Sequence, residues 1–130
     1  MKYLSDYTNN PITAMMDKLG AFFAFGSDQF HESAVKGEKY ASLGAGLIVP
    51  KSNAAALVDG LDKITEEGIA ADKADHTPEQ IILRELRNYE CFYTGDPSDA
   101  IDKLKAYGDG FGEKEVGKVF GQLWEEECAS

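Results

Sequence analysis

The chain has 130 residues, 43% of them hydrophobic, with seven Phe, six Tyr and one Trp, which is enough apolar material for a core and excludes disorder over most of its length. Its net charge of −10 is unevenly placed: residues 1–51 hold five acids and five bases, whereas residues 52–130 hold eighteen acids and eight bases. A surface of that sign disfavours direct nucleic-acid binding and favours basic protein partners, and no run approaches the roughly 20 apolar residues of a membrane span.

The N-terminal sequence Met1-Lys2-Tyr3-Leu4-Ser5-Asp6 meets polar Thr8-Asn9-Asn10 too soon for a signal peptide. A single globular domain over 1–130, retained in the cytoplasm, is the expectation, with Cys91 and Cys128 as free thiols. In chain order, Asn9 or Asn10 caps a short helix, Pro11 opens it, Ile12, Met15, Met16 and Leu19 give it an apolar face, and Gly20 stops it. Ala21-Phe22-Phe23-Ala24-Phe25 is too short to divide between buried helix and strand by period, and Phe22, Phe23, Phe25 and Phe30 read as core. Ser27 caps a helix over Asp28–Val35, which ends at Lys36-Gly37. Tyr40–Leu43 against Gly46–Val49 reads as a two-stranded ribbon, with Gly44 and Gly46 in the turn.

From Asn53 to about Asp75 the pattern is helical. Leu57, Val58, Leu61 and Ile64 share one face, and Gly68 marks a break. Thr77-Pro78-Glu79-Gln80 is a capping box with proline at the first position, and it starts a helix running to about Tyr93. Gly95 stops that helix and Asp96-Pro97-Ser98-Asp99 starts another, whose buried stripe is Ala100, Ile101, Leu104 and Tyr107 and whose end is Gly108. A last helix over Glu113–Cys128 turns Val116, Val119, Phe120, Leu123 and Trp124 inward. The fold class is therefore α+β and predominantly helical, with five or six helices and one small β-ribbon or strand pair.

Several patterns that suggest chemistry fail on inspection. Gly44–Ser52 lacks the glycine a phosphate loop places before Lys-Ser, and Pro50 stands there without an N–H. His31-Glu32 would need a second histidine at position 35, where Val35 stands, to bind zinc. Asp96, Asp99 and Asp102 lack the spacing of a calcium loop. Nothing beside Cys91 in sequence lowers its pKa. No catalytic residue, metal or cofactor is expected.

What remains is acid. Asp59, Asp62, Glu66 and Glu67 fall largely on one helical face, and Glu125, Glu126 and Glu127 sit at a helix C-terminus, the end where the dipole disfavours them. Carboxylates spaced along a helix can imitate the phosphates of a duplex and occupy a basic groove, through contacts that weaken with salt.

Ala21-Phe22-Phe23-Ala24-Phe25-Gly26-Ser27-Asp28-Gln29-Phe30-His31-Glu32 resembles the AFFAF-x-x-x-QF-x-E stretch of a family of small uncharacterised proteins of tailed phages and gut-type bacteria. Asn88–Ile101 is similar to that family's N-x-E-x-x-YT-x-D-x-x-x-AI block, and Gly44-Ala45-Gly46-Leu47 also fits. The resemblance implies a phage or mobile-element setting and supplies no catalytic residue. Small acidic proteins in that setting include anti-CRISPR inhibitors of host defence. The first expectation is thus a non-enzymatic acidic binding protein occupying a basic groove of a nucleic-acid-handling host protein. The alternatives are a small-ligand domain or small enzyme with a pocket at Asn88, Glu90, Tyr93 and Thr94, beside the Gly44–Gly46 turn, and a structural or dimerising protein with an aromatic interface.

Overall fold

A computed structural model gives the structure of residues 1–129, with side chains described through Glu127; the Cys128 thiol lies outside the described residues. They form a predominantly helical α+β fold of seven α-helices and one three-stranded antiparallel sheet. The chain divides into two compact units, residues 1–68 and 69–130. No helix among the described residues is long and apolar enough to cross a membrane.

In the first unit, α1 spans Leu4–Leu19, so it begins well before the expected cap at Asn9 or Asn10 and runs through Pro11. Asp6 closes its first turn by accepting the Tyr3 N–H at 2.8 Å. Pro11 lacks the N–H that would bond the Tyr7 carbonyl, a loss of about 3 kcal/mol in a helix interior. Burial of Leu4 and Thr8 on the preceding turns outweighs it, because helices in proteins are held mainly by their packed faces. Gly20, at φ +73°, ends α1 as expected, and Asn53 Nδ2 donates to the Leu19 carbonyl at 2.9 Å.

The ambiguous aromatic run is a strand, β1 (Phe22–Phe23). It joins the expected ribbon, β2 (Tyr40–Ser42) and β3 (Leu47–Pro50), in the order β1-β3-β2. Phe22 lies opposite Ile48 and Phe23 opposite Leu47, while Ala41 lies opposite the buried Val49. The short helix α2 (Ser27–Ser33) sets Phe30 against Phe22 and Tyr40, with ring centroids 5.5–6.2 Å apart. Phe23 and Phe25 are not core: they are 53% and 74% exposed and stack on each other. Alternation along β1 accounts for Phe23, because Phe22 takes the side facing α2. Phe25 lies beyond the strand, with its ring where a Cβ on Gly46 would stand, 2.5 Å away.

After β3 and a 3-10 turn at Lys51–Asn53, α3 runs unbroken over Ala54–Asp75. The expected break at Gly68 is absent. A Cβ at Gly68 would lie 2.6 Å from Thr8 Cγ2, and one at Gly60 would strike Met15 Sδ, so both glycines serve close approach of α1 rather than chain reversal.

The second unit begins with the last turns of α3. The capping box forms as expected: the Thr77 hydroxyl accepts from the Gln80 N–H at 3.2 Å, and Gln80 Oε1 accepts from the Thr77 N–H at 2.9 Å. It opens α4, which ends at Asn88 rather than near Tyr93 (α4, Pro78–Asn88). Glu90 interrupts it in the left-handed region at φ +55°, and a separate turn follows, α5 (Cys91–Thr94). Asp96 Oδ1 accepts from the Ser98 hydroxyl at 2.5 Å and from the Ser98 N–H at 2.9 Å and starts α6 (Ser98–Leu104); these bonds hold the Asp96 carboxyl below its ordinary pKa. α7 covers Glu113–Ala129. The core here is Ile81, Ile82, Leu86, Phe92, Leu104, Tyr107, Phe111, Val116 and Val119, while Trp124 stays 38% exposed on the ring of Phe120.

Candidate functional site: an acidic helix face and a buried ion cluster

Asp59, Asp62, Glu66 and Glu67 are all exposed on α3. Because the helix is continuous, Asp59, Asp62 and Glu66 follow one another at three- and four-residue steps in a single stripe, and Glu67 flanks it across Lys63. All four belong to the first unit and project from about two turns of rigid backbone.

The C-terminal acids behave differently. Glu125 and Glu126 are exposed, but Glu127 is half-buried and ion-paired: Arg87 reaches it with two nitrogens, Nη2 at 2.5 Å and Nε at 3.3 Å. That bond holds the Glu127 carboxyl below its ordinary pKa and raises the guanidinium of Arg87. Glu127 is thus committed inside the second unit, which explains an acid at the unfavourable end of a helix without a partner molecule.

Asn88, Glu90, Tyr93 and Thr94 are brought together by the α4–α5 junction, but all four are exposed, Tyr93 at 90%. They form surface rather than the lining of an enclosed pocket. Neither Asn88 nor Glu90 is buried. Cys91 beside them is a free, fully buried thiol, and burial pushes its pKa up, which leaves it a poor nucleophile. An open cavity of about 380 Å³ lies between α4 and α7, floored by Leu83, Val119 and Leu123.

The largest concentration of buried charge is one the sequence reading passed over. Asp72 (0% exposed), Arg84, Glu85 and Tyr107 meet in the second unit. The Arg84 guanidinium binds Asp72 through both carboxylate oxygens, at 2.8 and 2.9 Å. The Tyr107 hydroxyl donates to Asp72 Oδ2 at 2.6 Å, and His76 Nδ1 lies 2.9 Å from Oδ1. Burial alone would raise the Asp72 carboxyl, but the bonds from Arg84, Tyr107 and His76 outweigh it and hold it below the usual carboxylate range. Burial would lower the Arg84 guanidinium, but its bonds to Asp72 and Tyr107 raise it instead; burial and the Asp72 charge push the Tyr107 hydroxyl up. With four bonds from three side chains on its two oxygens, Asp72 is fully engaged within the cluster. The Asp72–His76 contact therefore belongs to a brace linking α3, α4 and the turn after α6. The signal was present in the spacing: Asp72 lies three residues after buried Ile69, and Arg84 and Glu85 lie three and four after buried Ile81, positions that helical period assigns to the core.

The fold and these two sites describe a predominantly helical protein with an acidic face on α3 and a buried ion cluster in the second unit. The chain belongs to the family of unknown function DUF7659, whose family model matches residues 4–126. No curated protein and no solved structure matches it.

Proposed function

We propose that this is a non-enzymatic binding protein that sets the acidic face of α3 into a basic groove on another protein. The observation that carries this reading is the stripe of four exposed carboxylates, Asp59, Asp62, Glu66 and Glu67, on one uninterrupted helix. Like charges at helical spacing repel one another modestly in the free protein and are relieved by a cationic partner. Glu125 and Glu126 offer further exposed acid on the second unit, whereas Glu127 drops out of the interface because Arg87 already neutralises it. A phage or mobile-element origin, action in the host cytoplasm, and a nucleic-acid-handling target of the anti-CRISPR kind rest on the family resemblance and on the charge. In a pull-down from bacterial lysate, the protein should capture a basic nucleic-acid-binding protein at low salt and release it at high salt. The variant with Asp59, Asp62, Glu66 and Glu67 all changed to Lys should capture none, and undiminished capture by it rejects the reading.

One observation favours self-association as a second reading. Phe23 and Phe25 are exposed yet held in place: the rings stack 6.3 Å apart at 4°, the Phe25 N–H donates to Gln29 Oε1 at 2.7 Å, and the ring of Phe25 lies on Gly46. Ordered exposed aromatics are typical interface anchors. Light scattering should then report a dimer that Phe23→Ser with Phe25→Ser converts to monomer; a wild-type monomer at all concentrations removes this reading.

A further inference from the structure

We propose that Glu85 is a proton switch built into the second unit: the fold takes it up as the neutral acid, and loss of that proton as pH rises loosens the helices packed around it. The geometry of the cluster points to this. Glu85 is 2% exposed, yet the nearest cation, Arg84, is already committed to Asp72 by two bonds. Glu85 Oε1 stands 3.6 Å from Arg84 Nη2, beyond hydrogen-bond length, and Oε2 has no hydrogen-bond partner among the described residues. One guanidinium thus faces two buried carboxyl groups, and it neutralises the one that also holds Tyr107 and His76.

The surroundings of Glu85 offer little else to balance a charge. Arg84, 3.6 Å away on the same helix, and then Lys103 on α6 favour the ionised form, while the Asp72 carboxylate at the end of α3 opposes it. His76 meets Asp72, and the Tyr107 hydroxyl donates to Asp72 Oδ2 while accepting at 3.3 Å from Arg84 Nη2, the nitrogen that stands 3.6 Å from Glu85 Oε1. α5 contributes the neutral, buried Cys91, and α7 contributes the buried apolar Val116 and Val119 to this core. Burial is the dominant influence and pushes the Glu85 carboxyl up despite the two cations.

The direction of the pH effect follows from linkage. A carboxyl whose pKa is raised on folding keeps its proton longer in the folded state, so its contribution is fully present below the ordinary value of 4.5 and is lost as pH rises toward its own higher value. Asp72 acts in the opposite sense: its contribution is present above the ordinary value of 3.8 and is lost as pH falls through its lowered value. The two windows do not overlap, so the Glu85 effect is separable on the alkaline side.

The experiment is denaturant unfolding of the full chain from pH 4 to 9, wild type against Glu85→Gln, read by the fluorescence of Trp124, the one tryptophan and a residue of the second unit. Gln keeps the shape of the neutral acid and cannot ionise. The two midpoints should coincide near pH 4 and diverge as pH rises, with Glu85→Gln the higher by pH 8. Curves that stay parallel, or a variant that is weaker at pH 8, overturn the proposal and make Glu85 an ionised partner of Arg84. A second measurement on the wild type decides the matter even where the variant does not fold. The carboxyl carbon shift of Glu85 should titrate above 4.5, and titration at or below that value rejects the switch.

Discussion

Asp72→Ala is expected to remove about 3–5 kcal/mol of stability, the cost typical of breaking a buried pair by deleting one member. A whole domain commonly has only about 5–15 kcal/mol, so this single change should bring the second unit close to unfolding. The reason is the state of what remains. Arg84 would stay buried without its two-oxygen partner, with Glu85 at 3.6 Å a poorer counter-charge, and the Tyr107 hydroxyl would lose its 2.6 Å acceptor. Urea unfolding followed by Trp124 fluorescence measures the loss. A double variant, Asp72→Ala with Arg84→Met, should recover part of it, because an apolar chain of similar length replaces the stranded charge. The exposed pair Arg87–Glu127 supplies the contrast: it is comparably close in space but Arg87 is largely in solvent, and Glu127→Gln should cost no more than about 1 kcal/mol. Equal losses for Asp72→Ala and Glu127→Gln would show that the buried cluster is not a brace.

Much of the fold was legible where the signals were local. Thr77, Pro78 and Gln80 form the capping box their order implies, Gly20 and Gly95 close helices from the left-handed region, and the ribbon pairs Tyr40–Ser42 with Leu47–Pro50 around the Gly44–Gly46 turn. The failures share a cause: the outcome depended on residues distant in sequence. Pro11 looked like a helix start because proline suits that position, but burial of Leu4 and Thr8 extends α1 past it. Phe22–Phe23 had no period to read, and became a strand only because β3 offers an edge to pair with. Glu90 ended α4 by adopting a conformation that glycine or asparagine normally signals, which a glutamate does not advertise.

The site was legible in the same uneven way. Exposure of Asp59, Asp62, Glu66 and Glu67 follows from the apolar positions of α3 on the opposite side, so the stripe could be drawn from the sequence. Glu127 could not be assigned, since its fate depends on Arg87, forty residues earlier. The buried cluster combines both cases. The helical period places Arg84 and Glu85 inward, but only the fold shows that Asp72 and Tyr107 meet one of them and leave the other without a hydrogen-bonded cation.

Gly68→Ala tests the same lesson with a reversal of sign. By helix propensity, alanine in place of a mid-helix glycine should stabilise by roughly 1 kcal/mol. In this fold it should instead destabilise by about 1–3 kcal/mol, the usual range for overpacking. The new methyl would stand 2.6 Å from Thr8 Cγ2 and 3.4 Å from Leu4 Cδ1. Both neighbours are buried, and the β-branched Thr8, whose hydroxyl donates to the Leu4 carbonyl, cannot rotate away without giving up that bond. Gly60→Ala provides the control on the same helix. Its methyl would meet the end of Met15, a long flexible side chain on the half-buried side of α1 that can move aside. The Gly60 variant should therefore be near neutral in thermal unfolding while the Gly68 variant melts lower. If both rise in stability together, the glycines answer only to propensity, and α1 does not require close approach to α3.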